Sequence, residues 1–314
     1  MECDVLVAGG GMAGMAAALT AAEAGAEVIL LEKQAEPGGS SVMSAGGMAF
    51  AGTDLQKQQG IEDSDELLFR DLRSVGQEDN DPEVVRSYVA NQLATYHWLC
   101  GHGVHFDPGI QVAGGMSVPR VHSSDPADTV RRLAAALQSG GKARLLMGKP
   151  ATRLLRDGSS GRVRGVTCAD GERIDARRGV VLACGGFGRN PALIHKFVPH
   201  YDQAVFAGGA GNQGDGLLMA WELGADFRDM AHIKGTYGKH PVDTTNTHAC
   251  LCVYKGGIAV NEAAQRYVDE SLSYKLLGDA CLRQPNACTY QIMDQAMYEM
   301  GDNRDRIADF ERRL

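Results

Sequence analysis

Gly9, Gly11 and Gly14 stand at the spacing Gly-x-Gly-x-x-Gly, and a carboxylate, Glu32, follows 18 positions after Gly14. Residues of these types at these distances recognise a dinucleotide. Gly9 permits a sharp exit from a strand. Gly11 has no Cβ, so main chain can lie against a pyrophosphate, and Gly14 allows a helix to pack close to a sheet. Met12 and Ala13 open that helix, where unpaired N–H groups and the helix dipole favour negative charge. Glu32, with Lys33 beside it, is placed to accept the hydroxyls of an adenosine ribose, and its charge repels a 2′-phosphate.

These residues need particular elements to hold them. The apolar run over residues 3–8 predicts a strand. Residues 13–24 contain seven alanines, which suits a helix pressed onto a sheet, and Gly25 marks its end. Glu27 to Glu32 predicts a second strand. Two Gly/Ser clusters follow it, Pro37-Gly38-Gly39-Ser40-Ser41 and Ser44-Ala45-Gly46-Gly47. NAD and FAD share the first half-site, but only FAD has a ribityl chain and ring system for such backbone to approach.

Further on, Ala151–Arg156, Arg162–Cys168 and Glu172–Arg177 predict a β-meander, with turns at Asp157-Gly158 and Asp170-Gly171. Gly179-Val-Val-Leu-Ala-Cys-Gly-Gly-Phe187 reads as another buried strand running into a glycine turn. Ala151, Ala183, Cys184 and Gly185 are therefore candidate cofactor contacts. Gly211-Asn-Gln-Gly214-Asp215-Gly216 opens a helix over Leu217–Leu223, where Gly214 and Asp215 are candidates as well; capping that helix and bonding the flavin side are compatible roles for Asp215. Helices are also predicted over Asp65–Ser74, Pro82–Leu99 (Val84, Val85, Tyr88, Leu93 and Trp98 near one face) and Thr129–Leu137, with Asp128 as its cap.

Taken together, these segments resemble the flavoprotein superfamily of soluble fumarate reductases, succinate dehydrogenase flavoprotein subunits, L-aspartate oxidases, urocanate reductases and 3-ketosteroid dehydrogenases. The match runs from Cys3 to about Tyr274 and includes Gly256-Gly-Ile-Ala-Val-Asn261 and Gln265-Arg266-Tyr267-Val-Asp-Glu270. The resemblance implies an α/β fold. A Rossmann-like FAD-binding domain with a central parallel sheet and β-meander is expected over 1–225, and a smaller α+β cap domain that closes over flavin and substrate over 226–314. It implies FAD in extended form, bound without a covalent link, because the loop from Gly38 to Gly47 has no histidine to tether it. In the family the chain returns to the FAD domain after the cap. No such segment is found after residue 280, so the chain is expected to be a truncated product or a fragment, with a partner chain as the alternative source.

The resemblance further implies hydride transfer between flavin N5 and a carbon of a C=C or C–C bond next to a carbonyl. Tyr274 falls where fumarate reductases place a proton-donating arginine, and a tyrosine there is similar to 3-ketosteroid dehydrogenases. His232-Ile-Lys234 replaces the His-Pro-Thr element of dicarboxylate enzymes. Tyr274 and His232 are thus the catalytic candidates, each with an ordinary structural role as the alternative. Arg266 and Glu270 are expected to pair. An enone or ketosteroid-like substrate is favoured; an unsaturated acid of the fumarate or urocanate type, or a non-catalytic flavin-binding chain, are the alternatives.

Composition narrows the partners. A net charge of −8 offers no electrostatic footprint for nucleic acid. No run of 18 apolar residues is present, so no membrane span is expected. The first strand begins at residue 3, which leaves no space for a signal peptide, and a cytoplasmic protein is expected. Eight cysteines in a chain of this size read as free thiols. No metal site is expected: Cys100-x-His102-x-x-His105 has no fourth ligand at a telling distance, and Cys250-x-Cys252 reads as alternate buried positions on a strand. The remaining partners are a small-molecule substrate and an electron donor or acceptor whose nature the sequence leaves open.

Overall fold

Strands that are apolar on both faces need cover on both sides, and two near the N-terminus are of that kind. Glu2–Ala8 (β1) and Val28–Leu31 (β2) pair in parallel, Val5 opposite Val28 and Ala8 opposite Leu31. Val28 and Leu30 point into one core cluster with Met15, Leu133 and Leu137; Ile29 and Leu31 point into the other with Leu6, Val166 and Ile174. Each such fully buried side chain contributes about 1.5–3 kcal/mol. The computed structural model describes residues 1–113, 115–158, 161–235, 237–240, 249–250 and 252–300, the side chain of Tyr274 excepted.

The chain forms two units, Met1–Arg189 with Gly208–Asp226, and Asn190–Ala207 with Phe227–Leu314. Residues 190–207, read from sequence with the first domain, cluster with the second unit.

In the first unit, Met12–Glu23 (α1) follows β1, and Gly25 takes φ +86° just beyond the helix. The next elements are Gly47–Ala49 (β3), Asp54–Gln58 (α2), Asp65–Val75 (α3), Pro82–Gly101 (α4), Val121–Ser123 (β4), Pro126–Ser139 (α5) and Ala143–Leu146 (β5). Ala151–Arg156 (β6), Val163–Cys168 (β7) and Arg173–Leu182 (β8) make the meander. One six-stranded sheet runs β5-β2-β1-β8-β7-β6, parallel from β5 to β8 and antiparallel from β8 to β6.

Three expectations change here. The third meander strand and the strand into the glycine turn are one element: β8 pairs with β7 over Arg173–Asp175 and with β1 over Asp175–Leu182. It is not uniformly buried, since Val181 and Leu182 are 36% and 38% exposed. The inner face of α4 is Val85, Val89, Gln92, Tyr96 and Leu99, the i, i+4, i+7 stripe, while Val84 and Tyr88 face out. The cap of α5 is Asp125, whose Oδ1 accepts the N–H groups of Ala127 and Asp128; Pro126 fills the first helical position, and Asp128 pairs with Arg131 and Arg132.

The second unit begins with Pro191–Phe197 (α6), capped by Asn190. Asp215–Trp221 (α7) belongs to the first unit. Ile258–Val260 (β9) and Tyr290–Ile292 (β10) pair antiparallel, Tyr274–Leu282 (α8) lies between them in sequence, and Gln295–Tyr298 (α9) follows. Tyr237, Val253, Ala259 and Leu277 form its core. Cys252 opens a 3-10 turn rather than lying on a strand, and its Sγ sits 3.4 Å from that of Cys250. Burial pushes the Cys252 thiol up to about 12. Among the described residues no helix is long and apolar enough to cross a membrane.

Candidate functional site

The C-terminal end of β1 opens into a cleft of about 940 Å³, counting the solvent at its mouth. Seven glycines are among its lining residues, and steric room explains the need for glycine at the turn. Gly9 has φ +114°, and a Cβ there would lie 2.2 Å from the Ala183 carbonyl oxygen. A Cβ on Gly14 would lie 1.9 Å from the Gly9 oxygen, so only glycine lets α1 start this close to the strand. Gly11 is the N-cap of α1 and offers no side chain of its own. The Met12 N–H instead donates to Ser41 Oγ at 3.1 Å, and Gly38 N–H donates to the Gly10 oxygen at 2.8 Å. The Pro37–Ser41 loop is thereby tied to the glycine turn.

Glu32, the residue after β2, is only 6% exposed. Its Oε2 accepts the Gly10 N–H at 2.7 Å and its Oε1 the Gln34 N–H at 2.8 Å. A carboxylate offers about four acceptor positions, so two N–H bonds orient it and leave capacity for hydroxyl groups. Next to it, Lys33 forms an ion pair with Asp215. Asp215 is the first residue of α7 and does not cap it; Gly214, at φ +82°, holds the cap position. Lys149 also lines the cleft, with its ammonium held far above the usual lysine range by Asp170 and Glu172. Cys184 donates its thiol to the Ala8 oxygen at 3.2 Å, and burial pushes it up to about 11, so it is no nucleophile at neutral pH.

Of the cofactor candidates, Gly9, Gly11, Met12, Ala13, Glu32, Lys33, Gly39, Ser40, Ser41, Ala151, Ala183, Cys184, Gly185 and Asp215 line this cleft. Gly14, Gly38, Ser44, Gly46, Gly47 and Gly214 are not among its lining residues. Ser44 Oγ donates to the Ser41 oxygen at 2.7 Å, and a Cβ on Gly46 would lie 1.9 Å from the Ser124 oxygen. Sequence reasoning missed Gly10, Gln34, Lys149, Gly209, Gly211 and Asn212. The Gly208-Gly209-Ala-Gly211 cluster was a readable signal: Gly209 N–H donates to Ser40 Oγ at 3.0 Å, and a Cβ on Gly211 would lie 2.8 Å from Lys33 Cε. Lys149 carried no local signal.

The two catalytic candidates lie in the second unit. His232 is exposed, on a turn closed by its own N–H to the Asp229 oxygen at 2.9 Å. Tyr274 is the first residue of α8 after the cap Ser273; its side chain lies outside the described residues. Arg266 donates to both oxygens of Glu270, at 3.2 and 2.6 Å. His102 is engaged by Glu23 and by the Trp98 oxygen. Among the described residues no group of three metal-binding side chains occurs.

A glycine turn that a Cβ at Gly9 or Gly14 would block, ending at an oriented carboxylate with spare acceptor capacity, fits the ADP half of an extended dinucleotide. Comparison with known proteins agrees. A urocanate reductase from Eggerthella lenta is 33% identical over 307 residues, which is 94% of this chain and 50% of that protein. The open form of a flavocytochrome c3 fumarate reductase superposes with a TM-score of 0.86 at 28% identity, over 99% of this chain and 56% of the other. The 3-ketosteroid-delta4-(5alpha)-dehydrogenase of Rhodococcus jostii RHA1, in complex with 4-androstene-3,17-dione, superposes with a TM-score of 0.81 at 28% identity, over 96% of this chain and 68% of that one. The chain therefore spans about half the length of the first two. The family model described as FAD binding domain matches residues 4–306, and the protein belongs to that family of flavoproteins.

Proposed function

We propose that this protein is an FAD-dependent oxidoreductase that moves a hydride between flavin N5 and a C=C or C–C bond next to a carbonyl, on an enone or ketosteroid-like substrate. The carrying observation is the glycine-lined cleft that ends at Glu32. FAD, when bound, supplies a two-electron hydride carrier. The main-chain N–H groups of Gly11 and Ala13 hold the pyrophosphate, those of Gly9, Gly10 and Met12 being taken by Leu31, Glu32 and Ser41, and Glu32 accepts the ribose hydroxyls. The Gly/Ser segment from Ser44 to Gly47 meets the ring end, and Tyr274 moves the proton on the carbon next to the one that exchanges hydride. In the reductive direction a phenol donates at its ordinary pKa of about 10; as a base at neutral pH it needs a lowered one. The second unit is the substrate domain in this reading.

The substrate class is supported by the commitment of Arg266. Its Nε and Nη2 both donate to Glu270, whose carboxyl is held down at about 2 mainly by that guanidinium. A dicarboxylate wants free, clustered arginines. The identity to a urocanate reductase favours a second reading, an unsaturated-acid reductase with a donor other than Tyr274.

The test is to purify the chain, release the cofactor of one portion with acid and, in an untreated portion, assay reoxidation of the reduced bound flavin by enones, ketosteroids, fumarate and urocanate. Free FAD in the supernatant and reoxidation by enones are expected. A colourless protein that refuses FAD removes the whole reading, and turnover confined to fumarate or urocanate removes the substrate class.

A further inference from the structure

The first unit holds a second polar cluster that does not line the cleft. Arg120 is fully buried, with its guanidinium 2.8 Å from Asp63 Oδ1 and 3.0 Å from Asp71 Oδ2. Asp63 is equally buried and Asp71 nearly so. Gln56 donates to Asp63 at 2.9 Å; Ser117 donates to Asp71 through both its N–H and its hydroxyl. Arg120 Nε is left without a hydrogen-bond partner. His122 is also fully buried. Its Nδ1 faces the Arg120 carbonyl at 2.8 Å, which can only accept, so Nδ1 carries the proton and Nε2 accepts from the Thr53 hydroxyl at 2.8 Å.

Buried ions of this kind add little net stability over apolar residues of similar size; where they are kept, fixing one geometry is the reason to test. Here the ions fix β4. The Arg120 oxygen accepts the Phe50 N–H at 3.0 Å, β4 pairs with β3 from Gly47–Ser123 to Ala49–Val121, and Ser124 N–H donates to the Gly46 oxygen at 3.2 Å. A Cβ on Gly47 would lie 2.8 Å from Val121 Cγ1. The Gly46-Gly47 main chain therefore rests directly on the strand that the ions anchor.

We propose that Asp63, Arg120 and Asp71, together with the His122–Thr53 pair, are positioning residues that hold the Gly46-Gly47 backbone in register against the flavin ring. This rests on the reading, given above, that the Ser44–Gly47 segment meets that ring. The ADP half is held elsewhere, by Gly9–Ala13 and Glu32, so the two halves of the cofactor respond differently to loss of the cluster.

The experiment compares the FAD-loaded wild-type chain with the combined variant Asp63→Leu, Arg120→Met, Asp71→Leu, which removes the charges and keeps apolar volume. Unchanged FAD affinity is expected, with loss of the structured shoulder on the visible flavin band and a severalfold recovery of flavin fluorescence. Arg120→Lys, which keeps the charge but not the planar fork, is expected to fall between the two. A folded combined variant with a wild-type flavin spectrum overturns the inference and leaves the proposed function standing. A wild-type chain that takes up no FAD overturns both. If the combined variant fails to fold, Thr53→Val, which removes the donor to His122 together with the acceptor that takes the Gln56 N–H at 3.1 Å, carries the test: a shift in the same direction supports the inference, and an unchanged spectrum overturns it.

Discussion

The two units hold their candidate residues in opposite ways. In the first, the glycine turn beside the cleft admits no side chain at its tightest points, where a Cβ on Gly9 would lie 2.2 Å from the Ala183 oxygen and one on Gly14 1.9 Å from the Gly9 oxygen. In the second, the candidates are side chains on short elements, Tyr274 at the first position of α8 and His232 on an exposed turn. Main-chain recognition ties a site to one backbone path, so substitutions there act through sterics. Side-chain chemistry leaves the path alone, so substitutions there act on rate. A cofactor common to a family suits the first design, and a substrate that differs among relatives suits the second.

The largest effect that tests this contrast is on rate. Tyr274→Phe removes the proposed proton donor, and kcat is expected to fall about 10²–10⁴-fold. Substrate KM and the flavin spectrum should stay as in the wild type. A change below tenfold would mean the donor is elsewhere. Next comes the backbone itself. Gly14→Val places carbon against the Gly9 oxygen, an overpacking worth about 3 kcal/mol or more, or roughly a hundredfold in FAD affinity. Gly25→Ala is the control: φ is +86° but nothing lies within 4 Å, so it should cost about 1 kcal/mol in stability and leave bound flavin per chain unchanged. Equal flavin loss in both would break the steric account.

Glu32→Gln is smaller. It weakens the acceptor for Gly10 N–H and for the ribose, at about 2 kcal/mol, or roughly thirtyfold in the Kd read by fluorescence titration.

The smallest effects are in acid, where the units should part. Burial holds His122 below its ordinary value of 6.5, partly offset by its bond to the Arg120 oxygen and by Asp63. The unfolded chain therefore binds the proton first, and first-unit stability should fall as pH drops below 6.5, by up to about 1.4 kcal/mol per unit. Glu270 is depressed from 4.5 to about 2. Its contribution to the second unit is present above 4.5 and lost as pH falls toward 2. With Arg266 60% exposed, it should amount to only about 1 kcal/mol. Melting curves against pH for His122→Gln and Glu270→Gln should flatten in those two windows respectively. Flattening of the Glu270→Gln curve near 6.5 instead would count against the assignment.

What could be read early and what could not follows a physical line. The strand, turn, helix and strand at the N-terminus were legible because continuous apolar runs, alanine content and glycine spacing are local demands. The cap of α5 was misplaced by three residues, although Asp125-Pro126 is the stronger signal, because a proline at the first helical position fixes where the cap must stand. The division of β8 into two strands failed for a different reason. Its polar N-terminal half and apolar C-terminal half serve two neighbours, β7 and β1, and no pattern along one strand names its partners.

The sequence by itself determined the nucleotide half-site, because a missing Cβ and an acid at fixed distance are backbone requirements written residue by residue. Only the tertiary structure decided that Lys33 meets Asp215, that Lys149 joins the same wall, and that Arg120 stands buried between Asp63 and Asp71. Those pairings join positions 182, 57 and 49 residues apart. Charge pairing over such separations depends on how the chain packs, and spacing along the chain carries no record of it.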